Sequence, residues 1–194
     1  MRNHKAMVGF SFWALSLFTS LAVAQTSPPK HDPDVPYVPT TEEAVKAMLK
    51  LANVKSSDIV YDLGCGDGRI VIAAAKEYGA HGVGVDINPV RIAEAKENAK
   101  KAGVEYLVRF EENDLFEADI HEATAVTLFL LNSINEKLRL KLLKDLKPGT
   151  RVVSNTFGMG DWKPDKELNV GDPVEGFSLS RRLFLWIIPQ HSEK

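Results

Sequence analysis

One segment limits the fold more than any other: Asp62-Leu63-Gly64-Cys65-Gly66-Asp67-Gly68. Glycines at alternate positions let a backbone take left-handed dihedrals and pass close to a ligand. The segment lies between a short apolar run, Asp58 to Leu63, and a stretch of helical spacing from Arg69 to Tyr78 that stops at Gly79. A buried strand, a glycine loop and a helix are predicted in succession. Asp86 stands near the end of the next predicted strand, Gly82 to Ile87. An acid at that place can accept both hydrogen bonds of a ribose diol. An adenosine-type ligand fits this arrangement. A dinucleotide fingerprint would need its third glycine at position 69, which is Arg69. Glycines at 64, 66 and 68 behind Asp62 suit a cofactor without a pyrophosphate.

The other segments alternate in the same way. Thr40 and Glu43 predict a capping box for a helix with Val45, Met48, Leu49 and Ala52 on one face. Asn88 caps and Pro89 opens a helix that ends at Gly103. Tyr106 to Phe110, Ala125 to Leu131, Arg151 to Phe157 and Leu183 to Ile188 are predicted strands. Ile134, Leu138, Leu142 and Leu146 mark a helix face, broken by Pro148-Gly149. This order predicts an α/β fold, a mainly parallel sheet with helices on both faces. The chain of 194 residues is of one-domain size. One cysteine excludes an intrachain disulfide, and the scattered histidines offer no metal-ligand pair, so no metal is predicted. A net charge of -2 gives no basic footprint for nucleic acid.

The amino terminus carries a different signal. Arg2 and Lys5 precede an apolar run from Ala6 to Ala24 that closes with Ala22-Val23-Ala24. Residues 1–24 are expected to be a signal peptide, cleaved after Ala24. An uncleaved anchor is the competing reading, since the run is about long enough to span a bilayer. Either way the domain is sent out of the cytoplasm, to a periplasmic or secreted location. After cleavage no stable membrane span is expected; an unused signal would leave the chain cytoplasmic. Residues 25–39, with Pro28, Pro29, Pro33, Pro36 and Pro39, are expected to form an extended arm ahead of a domain over 40–194.

Asp62, Asp86 and Asp114 each follow a successive strand, and with the glycines they resemble the class I (seven-strand) S-adenosylmethionine-dependent methyltransferases. Val35-Pro36-Tyr37-Val38-Pro39-Thr40, Tyr61-Asp62-Leu63-Gly64-Cys65-Gly66-Asp67-Gly68-Arg69-Ile70 and Gly84-Val85-Asp86-Ile87 are similar to one branch of them. That branch holds small protein-lysine methyltransferases, archaeal broad-specificity and mitochondrial. The resemblance runs from about residue 36 to the last strand. It implies a Rossmann-like seven-stranded sheet with an antiparallel last strand, and S-adenosyl-L-methionine as cofactor. By that resemblance Asp62 and the loop of Gly64, Cys65, Gly66 and Gly68 hold the methionine end. Asp86 binds the ribose hydroxyls and Ile87 packs on the adenine. Asp114 accepts from the adenine amino group beside the backbone of Leu115. Tyr37 and Thr40 close over the cofactor from the amino-terminal side.

Methyl transfer from a sulfonium is an in-line displacement that depends on alignment and exclusion of water. A lysine amine, with a reference pKa of about 10.4, must shed a proton first. A partly apolar pocket favours its neutral form. By resemblance, the stretch Leu131-Asn132-Ser133-Ile134-Asn135 faces the transferred methyl. Asn132 is the candidate catalytic residue, orienting an amine through its carbonyl, with a strand-end turn residue as the alternative. Ser133-Ile134 departs from the Pro-Pro-aromatic run of enzymes that methylate bases, which disfavours a nucleic-acid acceptor. Protein lysine is the favoured acceptor. A small-molecule methyltransferase and a non-catalytic cofactor-binding protein are the alternatives. Trp162 either covers the substrate entrance or packs down, and Lys137, Lys141 and Lys144 share a helix face expected to be solvated.

Overall fold

The computed structural model describes residues 37–170 and 182–190. The expected signal peptide and the arm before Tyr37 lie outside the described residues. The strands are β1 (Ile59–Leu63), β2 (His81–Asp86), β3 (Val108–Glu112), β4 (Ala125–Leu128), β5 (Arg151–Asn155), β6 (Lys166–Asn169) and β7 (Arg182–Ile187). They form one sheet in the order β3-β2-β1-β4-β5-β7-β6. The pairs from β3 through β5 are parallel. β7 runs antiparallel to both β5 and β6. The helices are α1 (Glu42–Leu51), α2 (Arg69–Tyr78), α3 (Pro89–Ala102) and α4 (Asn132–Asp145). The fold is Rossmann-like, seven-stranded and mainly parallel.

Alternation along the strands divides the core. Tyr61, Leu63, Val126 and Leu128 pack with Leu138 and Leu142 of α4 in one cluster. Val60 and Ala125 pack with Met48 and Leu49 of α1 and Ile70 of α2 in another. Both faces of the central strands are therefore covered, which is why β4 is buried throughout. The chain winds outward from β1 to β3, then returns to place β4 beside β1. This reversal opens a crevice at the carboxyl ends of β1 and β4. The glycine loop leaves β1 at that point.

Several sequence expectations change. The cap of α1 is Thr41, whose hydroxyl accepts from the Ala44 amide at 3.3 Å, and not Thr40. Thr40 is buried, and its carbonyl is taken by Arg69. β4 ends at Leu128, so Asn132 is the first residue of α4 and not the end of a strand. β3 starts at Val108 and leaves Tyr106 outside it, 77% exposed. β6 carries no apolar pattern to predict it; its four residues are all exposed and it is held by pairing with β7. Lys141 is not a solvated member of its face. Its side chain is 16% exposed and meets Asp145 at 2.7 Å. Trp162 packs down: its ring lies 5.9 Å from that of Trp186, whose Nε1 donates to the Trp162 carbonyl.

Candidate active site

A cavity of about 320 Å³ occupies the crevice. Of the residues singled out in the sequence, Asp62, Gly64, Cys65, Asp86 and Ile87 line it from β1 and β2. Asp114 and Leu115 line it from the segment after β3, and Tyr37 and Thr40 from the amino-terminal side. Gly66 and Gly68 complete the loop. Asn132 is exposed and is not part of the lining.

The loop is shaped by β2. The amides of Gly64 and Cys65 both donate to the Val85 carbonyl, at 2.8 and 2.9 Å. The Gly66 amide donates to Asp86 Oδ2 at 2.9 Å, while Asp86 Oδ1 accepts from the Asn88 amide. Asp86 thus pins the loop it faces, and each of its oxygens keeps capacity for a further donor. Gly66 has φ +53°, and a Cβ there would stand 2.4 Å from the Tyr37 ring. Only glycine fits under that ring. Gly68 is the N-cap of α2 with φ +79°, tight against Phe110 and Ala95.

Asp62 is buried at 3% exposure, yet no lysine or arginine pairs with it among the described residues. Its one side-chain hydrogen bond comes from Thr127 Oγ1, at 2.8 Å. Burial pushes its carboxyl up to about 7; Thr127 opposes this, and Asp86 and Asp67 add to it. Thr127 was not singled out in the sequence. Its signal was present: it is the one polar residue of β4, in register with Asp62. Burial, with Asp62 and Asp86 next, raises the Cys65 thiol well above its ordinary value. Such a thiol is a packed neighbour and not a nucleophile.

Asp67 and Arg69 form a second group that sequence reasoning missed. The guanidinium grips the carboxylate through Nε–Oδ1 at 2.9 Å and Nη2–Oδ2 at 2.6 Å. Arg69 Nη1 donates to the Thr40 carbonyl at 2.7 Å. The Tyr37 hydroxyl stands near both members of this pair, and the Asp67 charge adds to burial in raising it. Burial alone would raise the Asp67 carboxyl, but the Arg69 hydrogen bonds and charge hold it below its ordinary value.

The part of the lining contributed after β4 is apolar. Phe129, Leu130 and Ile134 line it after β4. The Phe129 ring stacks on Phe157, with centroids 6.1 Å apart. Phe157 follows Thr156, a β-branched residue at φ +69°, a strained conformation of the kind that clusters at functional sites. The Phe157 carbonyl accepts from Ser154 Oγ at 2.7 Å and from Asn135 Nδ2 at 3.2 Å. Asn135 is fully buried.

A ligand suited to this cavity carries a cation for Asp62, a diol for Asp86 and an apolar plane beside Ile87 and Leu115. The model of the family described as the ANTKMT methyltransferase domain matches residues 62–166. The chain belongs to this family. A protein-lysine N-methyltransferase of Saccharolobus islandicus is 49% identical over 82% of this chain and 97% of its own length. The adenine nucleotide translocase lysine N-methyltransferase of Mus musculus is 35% identical over 67% of this chain, which spans 56% of that enzyme. A crystal structure described as an RNA methyltransferase from Salinibacter ruber holds S-adenosyl-L-homocysteine. It is 50% identical, with a TM-score of 0.74, over 81% of this chain and 97% of that one. The chain is an S-adenosyl-L-methionine-dependent methyltransferase of the class I fold, and the buried acid without a cation and the glycine cradle fit that cofactor.

Proposed function

We propose that the chain methylates the side-chain amine of protein lysine. The observation that carries this reading is the aromatic, apolar part of the cavity lining after β4, Phe129, Leu130 and Ile134. Bound in the cavity, S-adenosyl-L-methionine supplies an electrophilic methyl on a sulfonium. Asp62 holds its ammonium, the glycine loop its methionine end, and Asp86 its ribose hydroxyls. Ile87 packs on its adenine, Asp114 accepts from the adenine amino group beside Leu115, and Tyr37 and Thr40 cover it. Phe129, Leu130 and Ile134 exclude water and favour the neutral amine that must attack. In the displacement the amine nitrogen bonds to the methyl carbon, and the carbon–sulfur pair returns to sulfur as a neutral thioether. The proton leaves to solvent. Asn132 lies outside the lining, at the first position of α4.

The lysine names of the archaeal and mouse relatives support this acceptor; the description of the Salinibacter structure points to RNA instead. A net charge of -2 favours the former. The test is labelled cofactor offered to host protein, RNA and small-molecule fractions in parallel. Label on lysine Nε of protein is expected. Label confined to RNA or to small molecules would refute the reading. We further propose that residues 1–24 export the chain, leaving residues 25–39 as its mature amino-terminal arm. Fractionation and terminal sequencing should find a mature protein beginning at Gln25, and a cytoplasmic chain beginning at Met1 would refute export.

A further inference from the structure

We infer that the Arg69–Asp67 pair is a latch that fastens residues 37–40 across the cavity and thereby sets how fast the spent cofactor leaves. The inference rests on the cofactor occupying this cavity. Arg69 stands at the first position of α2, so its backbone is fixed by the helix while its side chain reaches back over the loop. Three observations converge on it. The guanidinium is held in a two-point grip by Asp67, which orients its remaining N–H groups. One of these groups holds the Thr40 carbonyl, the last residue before the cap of α1. The Tyr37 hydroxyl stands beside the same pair, within reach of both charges, so both ends of the four-residue strap meet one ion pair.

The strap lies against the cavity. The Tyr37 ring covers Gly66 so closely that no Cβ fits between them. The Arg91 guanidinium lies 4.5 Å from the centroid of the same ring. Tyr37 is nevertheless 44% exposed, so little hydrophobic burial holds it down and the polar ties must do so. Arg69 and Asp67 are positioning residues in this account: they act on the cofactor through Tyr37 and Thr40.

A direct contact between Arg69 and the cofactor's carboxylate predicts a different pattern. In that case removing the Asp67 charge would leave affinity unchanged or improve it. The latch predicts that Arg69→Ala, Asp67→Asn and Tyr37→Ala each weaken S-adenosyl-L-homocysteine binding by about five- to tenfold, mostly through faster dissociation. Arg69→Ala combined with Tyr37→Ala should be no weaker than the worse single variant, since both release the same strap. Arg69→Lys keeps the charge but not the fork, and should not restore affinity. Tyr37→Phe removes only the hydroxyl and leaves the loop undisturbed; about a twofold rise in dissociation rate is expected. Under turnover, the KM for cofactor should rise while the KM for the acceptor stays within twofold.

Calorimetry and stopped-flow dissociation on the full chain decide the matter. Additive losses, an Asp67→Asn variant that binds as tightly as the parent, or unchanged dissociation in Tyr37→Phe would overturn the latch. Failure of the parent protein to bind S-adenosyl-L-homocysteine at all would instead overturn the cofactor site beneath it.

Discussion

Two aspartates flank the central strand β1 and have opposite surroundings. Asp58, just before the strand, receives Arg151 Nη2 at 2.6 Å, Thr124 Oγ1 at 2.7 Å and the Lys55 amide at 2.7 Å. Burial raises its carboxyl, but these partners outweigh that and hold it below 3.8. Asp62, near the carboxyl end of the same strand, is deeper, has one hydroxyl partner and no cation among the described residues, and is pushed up to about 7 by burial. The acid at the amino end is a clamp joining β1 to β5. The acid at the carboxyl end is an unmatched charge at the mouth of the glycine loop. A buried carboxylate without a cation is costly, and folds retain one where a ligand brings the missing charge.

Stability should depend on pH in opposite senses at the two sites. Asp58, with a lowered folded pKa, contributes stability fully above 3.8 and loses it as pH falls through the folded value. Asp62, with a raised folded pKa, binds its proton more tightly in the native state. It costs stability progressively as pH rises from 3.8 to about 7, and the cost stays above that.

The largest expected effect comes from removing the unmatched charge. Asp62→Asn should weaken S-adenosyl-L-homocysteine binding by about 100-fold at pH 8, roughly the worth of one buried charge-assisted contact. The same variant should be more stable than the parent at that pH by up to roughly 4 kcal/mol, because the desolvation cost is gone. Denaturant titration and calorimetry check both halves. Asp58→Ala is the mirror experiment. It leaves Arg151 without its carboxylate and should cost about 3 kcal/mol of stability while leaving cofactor affinity within twofold.

A smaller contrast separates the two other acids. Asp86 pins Gly66 and, in the function proposed, takes the ribose hydroxyls, whereas Asp114 Oδ1 accepts the Phe116 amide at its own turn. Asp86→Ala should therefore weaken cofactor binding about 30-fold and Asp114→Ala about fivefold, measured on folded variants. The smallest effect belongs to the apolar lining after β4. Phe129→Ala should raise the KM for a protein acceptor about fivefold, the worth of one aromatic contact, with S-adenosyl-L-homocysteine affinity unchanged. Equal losses in both quantities would move Phe129 into the cofactor site.

The sequence carried the sheet wherever burial wrote it as a continuous apolar run, as in β1, β4 and β5. It could not show β6, because Lys166 to Asn169 are exposed and joined only through backbone pairing. Local motifs located the glycine loop, Asp62, Asp86 and Asp114 at one cavity, because each stands at a strand end. Partners chosen by tertiary structure were not legible. Thr127 lies 65 residues from Asp62, and Arg69 lies 29 residues from Thr40. The resemblance singles out Asn132 at the end of a strand expected to reach Leu131. With the strand ending at Leu128 it falls in the first turn of α4, and the buried amide is Asn135.

The most direct test is calorimetry of S-adenosyl-L-homocysteine binding at pH 6 in buffers of different ionisation heat. If Asp62 receives the ligand's ammonium, its carboxyl is mostly protonated before binding and ionised after it. Close to one proton should then be released to the buffer, and the release should vanish in Asp62→Asn. Binding with no proton release, or an Asp62→Asn variant that binds as tightly as the parent, would contradict the account.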